Sequence, residues 1–419
     1  MKIATAGLGL RAANVLSIFK EAMPEAELVG YFDPFSTASE NVANVSTPSA
    51  SDADNAALQA IQGHPNASSL QQMQKGFAAC AKLRQETPQF DDVETMLSVT
   101  KPDLFFVGSP NSFHLEHIKQ GLNAGVRIFT EKPVVTTKQE TMELAALLAD
   151  HGTDRVMVGL VLRYSQHMVD LRALLGDLGQ IVSLEANEHI APYHGAFFMR
   201  DWRRMVSWSG GFMLEKCCHD LDIYNMVTAS RPTKVASFGG RKSFVPANAP
   251  DANLENEIMH RKPSIWNSVS DAFHSDGDII DYQTALLQYE NGASLAFHTN
   301  LNAPDEHRRF CVFGTHGMAE GDFVRGKLKA TSRDGSILAD HDYTQMDASR
   351  ASSHYGADHM MVDDIVTYLR GEAESLPVGV VDALEAGLVA MALDEARVTG
   401  QLVDLTKTWR EFDQYGLRT

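Results

Sequence analysis

Residues 2–33 read KIATAGLGLRAANVLSIFKEAMPEAELVGYFD, and their order decides the fold. Lys2 to Ala6 is a short apolar run with strand character. Arg11 to Ala22 carries apolar residues at Ala12, Val15, Leu16 and Phe19, the spacing of one helix face. Glu27 to Phe32 is again strand-like and stops at Asp33. Strand, turn, helix, strand is the opening βαβ unit of a parallel sheet. The turn itself, Gly7-Leu8-Gly9-Leu10-Arg11-Ala12, fits G-x-G-x-x-A. Gly7 permits a tight turn, Gly9 lets a pyrophosphate approach the backbone, and Ala12 allows close helix–strand packing. The helix start offers free N–H groups and a positive dipole end to phosphates. Asp33, about 20 residues on, is placed to accept hydrogen bonds from an adenosine ribose. Its charge would repel a 2′-phosphate, which favours NAD over NADP.

Working outward, Pro34 to Asp92 is dominated by Ser, Ala, Asn, Gln and Asp and reads as a polar insertion over about residues 36–92. Regular βα order resumes at Asp103 (DLFFVGSP). A helix is expected from His114 to Ala124, a strand from Val126 to Thr130, a helix from Lys138 to His151 and a strand from Arg155 to Leu160. Residues 1–160 are thus expected to form a doubly wound Rossmann domain. Residues 161–419 change texture. A helix from Gln166 to Leu175, a strand from Ile181 to His189 and a helix from Glu215 to Val227 precede frequent extended segments. Asn291-Gly292 and Asp334-Gly335 mark hairpins. Met360 to Leu369 and Asp382 to Arg397 are amphipathic. The second domain is expected to be α+β with a largely antiparallel open sheet.

Composition narrows the function. Among 419 residues, 44% are hydrophobic and 21% charged, ordinary globular values. No run of about 18 apolar residues is present, so no membrane span is expected. A net charge of -18 without a Lys/Arg run argues against nucleic acid and anionic lipid as partners. Four cysteines in so long a chain, none in a C-x-x-C pair, do not look like a disulfide framework, and the N-terminus lacks a signal-peptide pattern, so the cytoplasm is expected.

Two further segments carry a family resemblance. Ser109-Pro110-Asn111-Ser112-Phe113-His114 follows one expected strand, and Thr130-Glu131-Lys132-Pro133 follows the next. With the glycine turn, these resemble the P-N-x-x-H and E-K-P motifs of the glucose-fructose oxidoreductase / inositol dehydrogenase / rhizopine catabolism (Gfo/Idh/MocA) family. Phe313-Gly314-Thr315-His316-Gly317 and Glu320-Gly321-Asp322 extend the similarity. The family's D-x-x-x-H signature is matched by Glu215 to His219, preceded by Ser209-Gly210-Gly211. Glu replaces the usual Asp, and Cys217 stands where Gly is frequent. At i and i+4, Glu215 and His219 would share a helix face, with Asp222 on the same side.

The resemblance implies a hydride transfer between NAD and a secondary alcohol of a sugar, cyclitol or related polyol. It makes Lys132, Glu215 and His219 the catalytic triad. Such chemistry needs a base for the hydroxyl proton and a group that stabilises the developing oxyanion. Lys132 and His219 can share those roles in either assignment. The expected cofactor site comprises Gly7, Gly9, Leu10, Arg11, Ala12, Asp33, Ser109, Asn111, His114 and Glu131. Tyr164, Trp202, Arg203 and Asp222 are expected at the substrate, with His189 nearby. Adjacent Cys217 and Cys218 point about 100° apart on a helix, so no metal is expected. The family packs the second domain's sheet against another subunit, which implies a homodimer or homotetramer. Two other readings stay open. One is a glycoside-cleaving enzyme that uses bound NAD in a transient oxidation, elimination and reduction. The other is a non-catalytic dinucleotide-sensing regulator, disfavoured because Lys132 and His219 are both present.

Overall fold

The computed structural model describes residues 1–33, 79–250, 267–345 and 356–418. Most of the expected polar insertion lies outside them. Its last part is a finding in itself: residues 79–86 are helical and Gln89–Phe90 is a strand of the sheet. The stretch up to Asp92 is therefore partly core architecture.

Six strands form the first sheet: β1 (Lys2–Ala6), β2 (Glu27–Phe32), β3 (Gln89–Phe90), β4 (Leu104–Val107), β5 (Arg127–Thr130) and β6 (Val156–Val158). Their order is β3-β2-β1-β4-β5-β6, and every pair is parallel. Leu-Phe-Phe-Val of β4 is buried along its whole length, as a central strand covered on both faces requires. The strand order reverses between β1 and β4, and in such sheets ligands bind at the carboxyl ends beside that point. The glycine turn sits there. Gly7 has φ +82°, and a Cβ on it would lie 2.3 Å from the Ser109 backbone nitrogen. Only glycine lets the two loops close to this distance.

The second sheet has nine strands: β7 (Ile181–His189), β8 (Pro232–Gly240), β9 (Tyr282–Tyr289), β10 (Ser294–Asn300), β11 (Arg309–Gly314), β12 (Gly317–Asp322), β13 (Lys327–Ser332), β14 (Ile337–Asp342) and β15 (Val403–Asp404). They run β14-β13-β12-β11-β7-β10-β9-β8-β15 and are antiparallel except for β7 beside β10. Both expected hairpins form, with Gly292 at φ +91° between β9 and β10 and Gly335 at φ +87° between β13 and β14. Burial alternates along β9 and β10, so one face is core. On the other face Val182, Phe238 and Leu286 stand at least half exposed.

Two late helices close the molecule. The buried Val380–Thr399 helix packs on β8 and on the Cys218–Thr228 helix. The Ala357–Leu369 helix crosses back to the first helix, α1 (Leu10–Ala22), where Arg11 Nη1 donates to Asp358 Oδ1 at 2.6 Å. No described helix is long and apolar enough to cross a membrane.

The two turn glycines separate stability from binding. Gly7→Ala is expected to cost about 2 kcal/mol or more, a Tm loss of about 5 °C. Gly9 has φ -92° and open space where a Cβ would go. Gly9→Ala should therefore melt like the parent, and calorimetry of both variants checks the contrast.

Candidate active site

On the first sheet the site begins where β5 ends. Glu131, Lys132 and Pro133 follow Thr130 at the carboxyl edge, and the Lys132–Pro133 peptide bond is cis. His114 is fully buried at the start of its helix. Its Nδ1 lies 2.8 Å from the Pro133 carbonyl oxygen and its Nε2 2.8 Å from that of Ser109, so one imidazole spans both loops. Asn111 Nδ2 donates to Ser209 O at 3.0 Å and joins these loops to the second half.

Ser209-Gly210-Gly211 leads into a one-turn helix, Phe212–Glu215. Here the structure corrects an expectation. The helix from Glu215 to Val227 is broken at Lys216 and Cys217 and restarts as Cys218–Thr228. Glu215 and His219 thus belong to different helices, and the shared-face argument from an unbroken helix does not hold. Lys216 Nζ reaches Glu188 on β7 at 3.1 Å. Arg308 binds Glu188 at 2.8 Å and Asp220 at 2.6 Å. This buried ionic chain ties the broken segment to the second sheet.

Glu215 is where the two halves meet. Lys132 Nζ donates to the Glu215 carbonyl oxygen and lies 3.3 Å from Oε1. Arg203 Nε donates to the same Oε1 at 2.9 Å, and Arg203 Nη1 donates to Asp201 Oδ1 at 2.7 Å. The guanidinium lies 4.2 Å from the Trp202 ring centre, a cation–π contact that holds the fork flat. Burial alone would push the Glu215 carboxyl up; Lys132 and Arg203 outweigh it and hold the carboxyl at about 2. Its second oxygen, Oε2, is buried and has no hydrogen-bond partner among the described residues. A buried ionised oxygen without a donor is costly, so this atom asks for a hydroxyl or N–H from a ligand.

The remaining substrate candidates divide. Arg203 adjoins Glu215, and Trp202 lies against the Arg203 guanidinium. Asp222 does not adjoin Glu215: both of its oxygens are taken by Arg163, at 2.6 and 2.8 Å. Tyr164 is enclosed beside that pair, its pKa raised by burial and by Asp364. His189 packs its ring 4.8 Å from those of His298 and His307, and burial with these neighbours lowers it to about 4. His219 is buried in the first turn of the Cys218–Thr228 helix. Cys217 and Cys218 are buried, and burial drives the Cys218 thiol up to about 12. No cluster able to hold a metal occurs among the described residues.

At the dinucleotide end the residues fit the group the glycine motif implies. Gly9 begins α1 without a side-chain cap, no acidic residue lies in the first turn, and the space beside Gly9 is open. Phosphates would lie there against the helix N–H groups, with Leu10 and Ala12 contributing backbone. The Arg11 side chain turns away to Glu131 Oε1, at 2.9 Å, and to Asp358. Ser109 Oγ is engaged by His117 Nδ1 at 2.9 Å. Asp33 is buried and pairs with Arg84. Sequence reasoning missed Arg84, Asp201 and Asp358; none lies in a motif, and their partners are found only in space.

A parallel sheet with an open glycine turn, joined to an open mixed sheet through a buried Lys–Glu pair, defines a two-part, dinucleotide-dependent oxidoreductase. The oxidoreductase family with an NAD-binding Rossmann fold matches residues 1–160, and the GFO/IDH/MocA C-terminal domain matches residues 170–320. The chain belongs to the GFO/IDH/MocA oxidoreductase family. It is 24% identical to YteT of Bacillus subtilis over 370 residues, 77% of this chain and 86% of that one. It is 26% identical to a D-xylose dehydrogenase of Paenarthrobacter nicotinovorans over 54% of this chain and 56% of the relative. A 2,7-anhydro-N-acetylneuraminate hydratase of Mediterraneibacter gnavus is 23% identical over 64% of each chain. Among solved structures, a myo-inositol dehydrogenase of Corynebacterium glutamicum shares the fold, with TM-score 0.62, 17% identity and coverage of 97% of this chain and 99% of that one.

The depressed Glu215 makes stability depend on pH in a definite direction. Its ionised form is favoured by folding, so its contribution is present above the ordinary carboxyl pKa of 4.5 and is lost as pH falls from there towards 2. Near pH 7 Glu215→Gln should lower unfolding stability by about 3 kcal/mol. Denaturant melts across pH 2–7 should show the gap between parent and variant closing at the acid end.

Proposed function

We propose that the chain is an NAD-dependent dehydrogenase that acts on a secondary alcohol of a neutral sugar, cyclitol or related polyol, in the cytoplasm. The unpartnered, buried Glu215 Oε2 carries this reading. It is an acceptor, and a polyol hydroxyl is the matching donor. The cations beside it, Lys132 and Arg203, already contact Glu215 and Asp201, so little positive charge is left over for a substrate carboxylate. Dehydrogenases of D-xylose and myo-inositol among the relatives and structural neighbours support the substrate class.

A bound nicotinamide would supply the hydride acceptor. Glu215 Oε2 would orient the substrate through one hydroxyl, and the Trp202–Arg203 stack would keep Glu215 in place. Lys132 Nζ, already at Glu215, would hold the reacting oxygen and offset its developing charge. His219 would receive the hydroxyl proton, or pass it on if Lys132 takes it first. Asn111 and Glu131 would flank the nicotinamide ribose, and Asp33 the adenosine ribose.

A screen of sugars, sugar acids and inositols for NAD⁺ reduction tests this. One or more neutral polyols should yield NADH, and Lys132→Ala should lower kcat/KM by about 10³-fold with dinucleotide binding retained. Unchanged turnover in that variant would remove Lys132 from the site. The hydratase relative favours a second reading, in which the redox change is transient and cancels within each turnover. Product release without accumulated NADH would identify it.

A second copy of the chain is the proposed cover for the apolar face bearing Val182, Phe238 and Leu286. Light scattering should report a dimer or tetramer, and Leu286→Lys with Phe238→Asp should yield monomers.

A further inference from the structure

We infer that Arg203 and Glu215 together read a hydroxyl on the carbon beside the one oxidised, so that the substrate is a vicinal diol at its reacting end. This rests on the proposed dehydrogenase reading, in which Glu215 Oε2 orients the substrate. It adds the donor that stands next to that oxygen and what the two select.

On a guanidinium, Nε and Nη2 share one edge, and that edge matches both oxygens of a carboxylate. Two buried pairs of this protein use the edge in full. Arg163 meets Asp222 through Nε at 2.6 Å and Nη2 at 2.8 Å. Arg308 meets Asp220 through Nε at 2.8 Å and Nη2 at 2.6 Å. Arg203 makes only half of this arrangement with Glu215. Its Nε donates to Oε1 at 2.9 Å, while Nη2 and Oε2 have no partner among the described residues. The neighbours explain why the second arm stays unmade. Arg203 Nη1 is drawn to Asp201 Oδ1 at 2.7 Å, and the guanidinium carbon lies 4.2 Å from the ring centre of Trp202 and 5.3 Å from that of Phe197. Glu215 is held on its other side by Lys132, 3.3 Å from the same Oε1. Guanidinium and carboxyl are thus fixed by different partners.

An unmade arm is a donor beside an acceptor. A hydroxyl answers both at once, accepting from Nη2 and donating to Oε2. A carboxylate could only accept there, and an ammonium could only donate. A methylene would do neither and would leave Oε2 buried without a donor. Arg203 keeps 23% of its side-chain surface exposed and Glu215 4%, so the approach is along Arg203. Lys132 stands at Oε1, the other oxygen of the same carboxyl. A reacting oxygen held by Lys132 Nζ and a hydroxyl held at Oε2 are therefore one carboxyl apart. Oxygens on adjacent carbons suit that separation, and oxygens on opposite sides of a six-membered ring do not.

The test uses each neutral polyol that reduces NAD⁺ in the screen, D-xylose and myo-inositol first, together with its monodeoxy derivatives. Carbon-13 NMR of the ketone locates the oxidised carbon. Removal of one hydroxyl beside that carbon should lower kcat/KM by about 10²-fold or more. Calorimetric titration of the same compound into the NADH-loaded chain should show correspondingly weaker binding. Arg203→Lys keeps a cation at Glu215 but not the guanidinium edge. It should lower kcat/KM for the full polyol about 10²-fold and change that for the deoxy compound less than about threefold. Deoxy compounds at both neighbouring carbons that react within about threefold of the full polyol overturn the inference and leave the dehydrogenase reading standing. Equal losses on both compounds in Arg203→Lys at an unchanged Tm also overturn it, since Arg203 would then only brace Glu215. If Arg203→Lys melts early, the deoxy series with the parent protein decides. Absence of any polyol that reduces NAD⁺ would sink the dehydrogenase reading, and this inference with it.

Discussion

A carboxylate can be buried and stay ionised only if cations come to it, and in this chain that condition draws two sheets together. Glu215 takes Arg203 from its own half and Lys132 from the carboxyl edge of the other. Lys132 touches both the backbone carbonyl and the side chain of Glu215, so the contact fixes position as well as charge. Asn111 on the Ser209 carbonyl adds a second, uncharged tie close by. These contacts set how the two sheets stand at Glu215.

Around that centre the protein separates polar groups held for structure from those left for chemistry. Asp222 with Arg163, and Glu188 with Lys216, Arg308 and Asp220, are buried ions whose partners are all internal. Breaking one of them would strand a charge in a dry interior, which makes them scaffolding. Glu215 differs by one atom: Oε1 is shared by two cations, while Oε2 has no partner among the described residues. That asymmetry distinguishes a site from a salt bridge.

Much of the fold was legible because its signals are local. The glycine turn, the apolar run of β4 and the glycines of the two hairpins each act within a few residues. The E-K-P and P-N-x-x-H segments located the carboxyl edge for the same reason. What escaped is set by partners far apart in sequence. Asp222 looked like a neighbour of His219 by spacing, yet Arg163, from 59 residues earlier, takes its carboxylate. The break after Glu215 has no proline to announce it; Lys216 is instead anchored to Glu188 on another element. Arg84 sits in a stretch whose polar composition reads as surface, and its meaning depends on a fold that returns it to Leu8 and Asp33.

The Ala357–Leu369 helix, packed on α1 and bound to it through Arg11 and Asp358, gives the molecule an architecture that its linear order conceals. The nucleotide half is completed by a piece of chain that arrives after eight of the nine strands of the second sheet. A chimera that exchanged only the leading 160 residues with a relative would graft a module lacking one of its walls. A functional exchange would have to carry this late helix as well, so the natural unit of recombination here is discontinuous.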